Sequence, residues 1–286
     1  MKIFILNIPG LFKPSKQKFK YPRHNFDYGV EQDFLTFLLN NKHLLTNNPN
    51  DADWHYLPVF WTRYFIGNNF QSVSSIELES IKNYILNDKK TFTVCQYDDD
   101  CIVNLGDTKL FLSSNKSRLG SDIPLLSKDH SRPFFKKEKK IRASFAGRIR
   151  THPIREELNL LKSDYGFEIL DTDRLSKFRY RNLILSSMVS ICPRGYGLSS
   201  FRFYESMQLG SVPLLFSDID NRPFKDFIEW DLVSIYTSNA TDLKLKISEY
   251  SDQDLIYMGQ MAKDFYNNYL SFQKWPILLI KQLRNF

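Results

Sequence analysis

The sequence is poor in cysteine, with three in 286 residues, at positions 95, 101 and 192. An odd number without zinc-like spacing excludes a disulfide-stapled scaffold and a structural zinc centre, and predicts a reducing compartment. Long hydrophobic runs are missing too. The opening MKIFILNIPG holds about six apolar residues, broken by Asn7 and Pro9, too few for a membrane-spanning helix or the apolar core of a secretion signal. It reads as a first β-strand, and a cytoplasmic protein is predicted. No internal repeat or low-complexity tract stands out, which leaves two α/β halves of similar size.

What is present suits packed cores. Apolar residues make up 42% and aromatic residues 15% of a chain long enough for two small domains. A net charge of +7 and a pI near 9.1 fit nucleic acid, an anionic membrane surface or an anionic ligand such as a nucleoside diphosphate. The cations are dispersed and no nucleic-acid-binding motif occurs, so no nucleic-acid partner is expected.

One stretch organises the chain. Residues 188–192 form a short apolar, β-branched run stopped by Pro193, as in a buried parallel strand. Arg194, Gly195, Tyr196 and Gly197 follow, with two glycines where the backbone turns sharply or comes close to a ligand. Ser199 and Ser200 stand at the start of a helix that Gly210 ends, and residues 212–216 are the next strand. Arg202 and Glu205 are three apart and share a helix face. Helix N–H groups, serine hydroxyls and a guanidinium suit a phosphate, and a carboxylate one turn on suits a ribose diol. The ligand so implied is a nucleotide. The same spacing also fits an ordinary surface ion pair beside an ordinary turn.

The run CPRGYGLSSFRFYESMQ from Cys192, followed by VPLLFSD from Val212 and by Arg222-Pro-Phe and Trp230, resembles the exostosin-type glycosyltransferases, family 47. The resemblance implies an α/β GT-B architecture of two Rossmann-like domains facing across a cleft, and an inverting enzyme that uses a nucleotide sugar. Cellular members of the family mostly carry an N-terminal membrane anchor. This sequence departs from that pattern and reads as a free-standing form of the kind expected in viruses or microbes, in the cytoplasm of a host cell where viral.

Along the first half, residues 13–23 form a basic loop. An amphipathic helix carries Phe34, Leu35, Phe37 and Leu38, with Glu31 in its first turn. By itself Glu31 complements its helix dipole; the resemblance makes it a candidate general base. A strand at 54–57 holds His55 and leads into Phe60, Trp61, Tyr64 and Phe65, at the strand end where α/β sheets bind ligands. Trp61 and His55 are the acceptor-site candidates, although core packing explains most of these residues equally well. A helix at 76–86 and a strand at 92–96 precede Asp98, Asp99 and Asp100. An Asp-x-Asp after a strand is the manganese site of another glycosyltransferase fold class. The GT-B resemblance instead puts Asp98 in the acceptor half as the reserve base, with no metal ligands. A further strand is expected at 110–112.

Pro133 and the charge run at 136–140 mark a boundary. The halves are 1–135, which binds acceptor, and 136–270, which binds donor, with residues 271–286 a helix returning to the first. In the second half a strand from Ile141 breaks at Gly147, and a helix opened by Pro153 carries Arg155. The pattern Phe-x-Gly-Arg recurs in the family, so the resemblance makes Arg148 and Arg155 partners of the pyrophosphate, in a donor site that also takes Gly147, Pro193, Arg194, Gly195, Ser199, Ser200 and Arg202, with Glu205 for the ribose. Strands at 166–170, 227–230 and 233–236 and helices at 175–186, 242–250, 254–269 and 275–283 complete the expectation.

Two function classes follow. In the first, an inverting transferase moves xylose, galactose or glucuronate from a UDP-sugar to a glycan hydroxyl, with Arg202 stabilising the departing diphosphate and Glu31 or Asp98 as base. It needs no cofactor and works as a monomer or weak homo-oligomer. In the second, a basic module on the same fold binds glycan or nucleic acid without turnover.

Overall fold

The computed structural model describes residues 1–15, 30–68, 75–126, 130 and 137–286. The basic loop beyond Ser15 and most of the expected boundary segment lie outside the described residues. The chain forms two compact units, residues 1–126 with 275–286, and residues 127–274.

The first unit is built on β1 (Ile3–Ile5), β2 (Trp54–Tyr56), β3 (Thr91–Cys95), β4 (Lys109–Leu112) and β5 (Ser121–Asp122), all parallel and neighbours in chain order. Strands β2 and β3 are buried at every residue, His55, Thr91 and Thr93 included, because both faces are covered. One cover is α1 (Val30–Asn40), which buries Val30, Phe34 and Leu38; another is α8 (Trp275–Leu283). Trp275 is fully buried, with its ring centroid 5.7 Å from that of Phe34. The Trp54 indole Nε1 donates to the Leu283 carbonyl at 3.0 Å. A residue 229 positions downstream of Trp54 thus helps to complete this core.

The second unit has a five-stranded parallel sheet in the order β10 (Ile235–Thr237), β9 (Val212–Phe216), β8 (Ser187–Pro193), β6 (Ile141–Gly147), β7 (Phe167–Asp171). After β7 pairs on one side of β6, the chain crosses to pair β8 on the other. The strand order reverses between β6 and β8, and loops leaving the carboxyl ends of those strands part to opposite sides. Helix α4 (Lys177–Ser186) feeds β8, and α5 (Phe201–Gln208) joins β8 to β9. Helices α6 (Ala240–Ser248) and α7 (Asp252–Phe265) follow β10, and a π turn, Tyr266–Leu270, ends α7. Gly210 takes φ +72° just past α5, where a side chain would be strained. The Gly210 carbonyl lies so close to Gly259 of α7 that a Cβ there would meet it at 2.7 Å.

Several elements depart from periodicity. The expected helix around Arg155 is a 3₁₀ segment, Pro153–Leu161, capped by His152 and holding Leu158 and Leu161 in the core. The helix expected at 76–86 is split into α3 (Ser75–Glu79) and a 3₁₀ turn, Ser80–Tyr84. Residues 227–230 are not a strand. There the Trp230 indole donates to the Pro223 carbonyl, Phe224 takes φ +55°, and the backbone N–H groups of Phe227 and Ile228 both turn to the Phe224 carbonyl, so a tight turn takes the groups that a ladder would have used. Strand β8 runs through Pro193, which is its last residue. All three cysteines are free and buried.

Replacing Trp275 by alanine removes an indole wedged on α1. The substitution is expected to cost on the order of 3–5 kcal/mol. Urea unfolding followed by near-ultraviolet signal should lose stability by that amount; a change under about 1 kcal/mol would show that α8 is not part of the first core.

Candidate active site

The strand reversal fixes where a ligand is held in the second unit, outside the carboxyl ends of β6 and β8. Gly147 ends β6 and Pro193 ends β8. Arg202, in the first turn of α5, reaches back to that place, where its Nη2 donates to the Ala146 carbonyl. Its guanidinium lies over Phe145, 4.9 Å from the ring centroid, and 5.8 Å from the ring centroid of Tyr180. Two aromatic faces therefore fix the plane of the cation. A Cβ on Gly147 would stand 2.8 Å from Arg202 Nη2, so the glycine is required for the arginine to lie there. Arg148 follows at a half-buried position.

Glu205 is not a surface partner of Arg202. It is 2% exposed; Oε2 accepts from the Tyr180 hydroxyl at 2.6 Å, and Oε1 lies 3.2 Å from His130 Nε2. Among the described residues Arg202 and Glu205 form no ion pair with each other, which overturns the i,i+3 surface-pair alternative. Ser200 is the N-cap of α5 in extended conformation, yet its hydroxyl makes no capping bond, and Ser199 is half-buried beside it. The first turn of α5 thus lacks the serine acceptor that usually occupies an N-cap.

The other expected pyrophosphate partners are placed differently. Arg155 directs Nε to the Arg194 carbonyl at 2.7 Å, Nη1 to the Arg148 carbonyl at 3.0 Å and Nη2 to the Pro193 carbonyl at 3.2 Å. It ties together the backbone leaving β6 and β8. Gly195 borders the same guanidinium, with 3.6 Å between a built Cβ and Arg155 Nη2. Arg194 turns to Asp218, Nη1 to Oδ1 at 2.5 Å. Burial would raise the Asp218 carboxyl, but the Arg194 hydrogen bond and charge outweigh it and hold it below the usual range. His152, close by, is lowered by burial and by the Arg194 charge.

In the first unit Glu31 has no exposed surface. Its Oε1 accepts from Gln96 N at 2.9 Å, Thr62 Oγ1 at 2.8 Å and Thr62 N at 3.1 Å. Thr62 lies in the first turn of α2 (Trp61–Gly67), so Glu31 caps a different helix from its own and ties it to the end of β3. Burial dominates and raises the carboxyl from near 4.5 to about 7, against the pull of these hydrogen bonds. Trp61 and His55, the expected acceptor-site residues, are both buried in the first unit. Trp61 is fully buried with Nε1 bonded to Thr93 Oγ1, and His55 packs against Phe4 with Nε2 on the Pro49 carbonyl.

The three aspartates diverge. Asp99 pairs with Lys116, and Asp100, at φ 62°, accepts from Ser117 N at 2.8 Å. Asp98 is solvent-exposed, yet the protein packed around its carboxyl group, and then the Asp99 charge, raise it to about 6. Among the described residues no three His, Cys, Asp or Glu side chains converge as a metal site, and no helix is long and apolar enough to cross a membrane. Periodicity gave no signal for Tyr180, Phe145, His130 or Asp218, whose places depend on strand order alone.

A family model, the exostosin GT47 domain, matches residues 1–246. The chain belongs to the exostosin GT47 family. That is a glycosyltransferase family, and two parallel Rossmann-like units are the make-up of its GT-B class. Among its relatives, the exostosin-1 homolog of Caenorhabditis elegans is 29% identical over 102 residues, 35% of this chain and 27% of that protein. Exostosin-1c of Danio rerio is 39% identical over 61 residues, 21% of this chain and 8% of the relative. The chain therefore spans about a quarter or less of the curated exostosins it matches. Of solved structures, AviGT4, a glycosyltransferase involved in avilamycin A biosynthesis, aligns over 99% of this chain and 97% of its own at 11% identity and a TM-score of 0.39.

The Glu31 environment makes a pH test. A carboxyl raised from 4.5 to about 7 binds more protons folded than unfolded, so its contribution is full below pH 4.5 and is lost as pH rises through 7. Over that window wild type should lose on the order of 3 kcal/mol relative to Glu31→Gln. Denaturant midpoints of both proteins at pH 4.5, 5.5, 6.5 and 7.5 give the difference, and a flat difference contradicts the burial described.

Proposed function

We propose that this exostosin-family chain is an inverting glycosyltransferase that moves a sugar from a UDP-sugar to a glycan hydroxyl. The observation carrying the reading is the Arg202 cation, set between Phe145 and Tyr180 at the strand reversal beside Gly147. A diphosphate lying there meets a fixed guanidinium and the positive end of α5, both in place before charge develops on the leaving group. Arg148, at the end of β6, adds a second cation, and Glu205 is one turn from Arg202 for the ribose hydroxyls. UDP-xylose, UDP-galactose and UDP-glucuronate are the donor types to test.

The acceptor belongs to the first unit in this reading, with Asp98 as general base. An exposed carboxylate whose pKa is raised to about 6 is deprotonated at neutral pH and basic enough to draw a proton from a hydroxyl as the anomeric bond forms. Glu31 ties the first turn of α2 to the end of β3 in this reading. Because Arg202, Arg148 and the helix end supply positive charge, and the aspartates at 98–100 engage separate partners, catalysis is expected to proceed without a divalent ion.

Donor hydrolysis and transfer measured with Arg202→Lys should show kcat lowered by roughly a hundredfold, since lysine keeps the charge but loses the planar fork. Near-normal kcat removes Arg202 from the leaving-group role. Asp98→Asn should abolish the acidic limb of the rate profile near pH 6. After exhaustive EDTA treatment activity should persist; complete loss restored by manganese would make the aspartates metal ligands.

A further inference from the structure

The two groups assigned to the diphosphate and the ribose carry opposite charge three residues apart on one helix, and nothing in α5 keeps them from closing on each other. Tyr180, on α4, touches both. Its hydroxyl donates to Glu205 Oε2 at 2.6 Å and its ring stands under the Arg202 guanidinium, 5.8 Å from centroid to Cζ. The carboxylate is thereby drawn toward α4 while the cation is held flat against Phe145 and bonded to the Ala146 carbonyl. The phenol is raised well above its ordinary value, by burial and then by the Glu205 charge, so it remains a donor.

We propose that Tyr180 is a positioning residue of the donor site, one that keeps Arg202 and Glu205 apart and oriented so that a nucleoside diphosphate can bridge them. This rests on the donor-site reading above. Tyr180→Phe keeps the ring under the guanidinium and removes the hydroxyl alone. Glu205 Oε2 loses that charge-assisted donor while Oε1 keeps its place 3.2 Å from His130 Nε2, so the carboxylate turns about that contact, which damages recognition of the ribose more than that of the diphosphate. A second variant, Tyr180→Leu, removes the ring support as well, so that both are damaged.

Calorimetric titration of wild type, Tyr180→Phe, Tyr180→Leu and Glu205→Ala with UDP and with inorganic pyrophosphate separates these effects, thermal melting having shown that each variant folds. Tyr180→Phe should weaken UDP by roughly tenfold and leave pyrophosphate within about twofold, matching Glu205→Ala in kind. Tyr180→Leu should weaken both ligands. In turnover, KM for the donor should rise in Tyr180→Phe with kcat little changed. A purely structural tyrosine would lower the melting temperature without altering the ratio of the two affinities, and that outcome overturns the proposal. If Glu205→Ala loses UDP while Tyr180→Phe binds it as wild type does, the Tyr180 role alone fails. If wild type binds UDP no better than pyrophosphate, the donor-site reading fails and this inference falls with it.

Discussion

The second unit depends on one clamp. A parallel sheet that reverses its strand order must send two adjacent chains apart at their carboxyl ends, and the carbonyls there have no ladder partner. Arg155 supplies partners to three of them, at Arg148, Pro193 and Arg194, with one planar group. A guanidinium spans that gap because its donors form a rigid fork, which an ammonium lacks. Once the ends of β6 and β8 are spaced in this way, Gly147 leaves room for Arg202, and Arg202 has Phe145 and Tyr180 to lie between.

Much of this was legible in the amino-acid order. The apolar run before Pro193, the Gly210 stop and the Arg202 to Glu205 spacing are local features, and the strand, helix and strand they imply are present at β8, α5 and β9. Local patterns failed where a distant segment decides the outcome. Trp61 and Arg155 have the residue types of ligand contacts, an aromatic after a strand and an arginine near a glycine. Burial and carbonyl geometry take both for the interior. Glu31 shows a finer miss: its place in a first helical turn suggested service to its own dipole, whereas it caps α2 through Thr62, 31 residues on.

The aspartates at 98–100 illustrate why a short motif underdetermines chemistry. Adjacent residues in a turn cannot all face one way. Here Asp99 goes to Lys116, Asp100 to a backbone N–H in a left-handed conformation, and Asp98 to solvent. A triplet that reads as one site is three separate electrostatic environments.

The composition of the first unit also sets an order of assembly. Helix α8 closes the core over Phe34 and Trp54, and its residues are translated after all of the second unit. During synthesis the earlier-made half must wait with an apolar face uncovered while the later-made half completes its own sheet. Translation order and folding order are therefore opposed in this chain, and the nascent first unit is the species with most to gain from a chaperone.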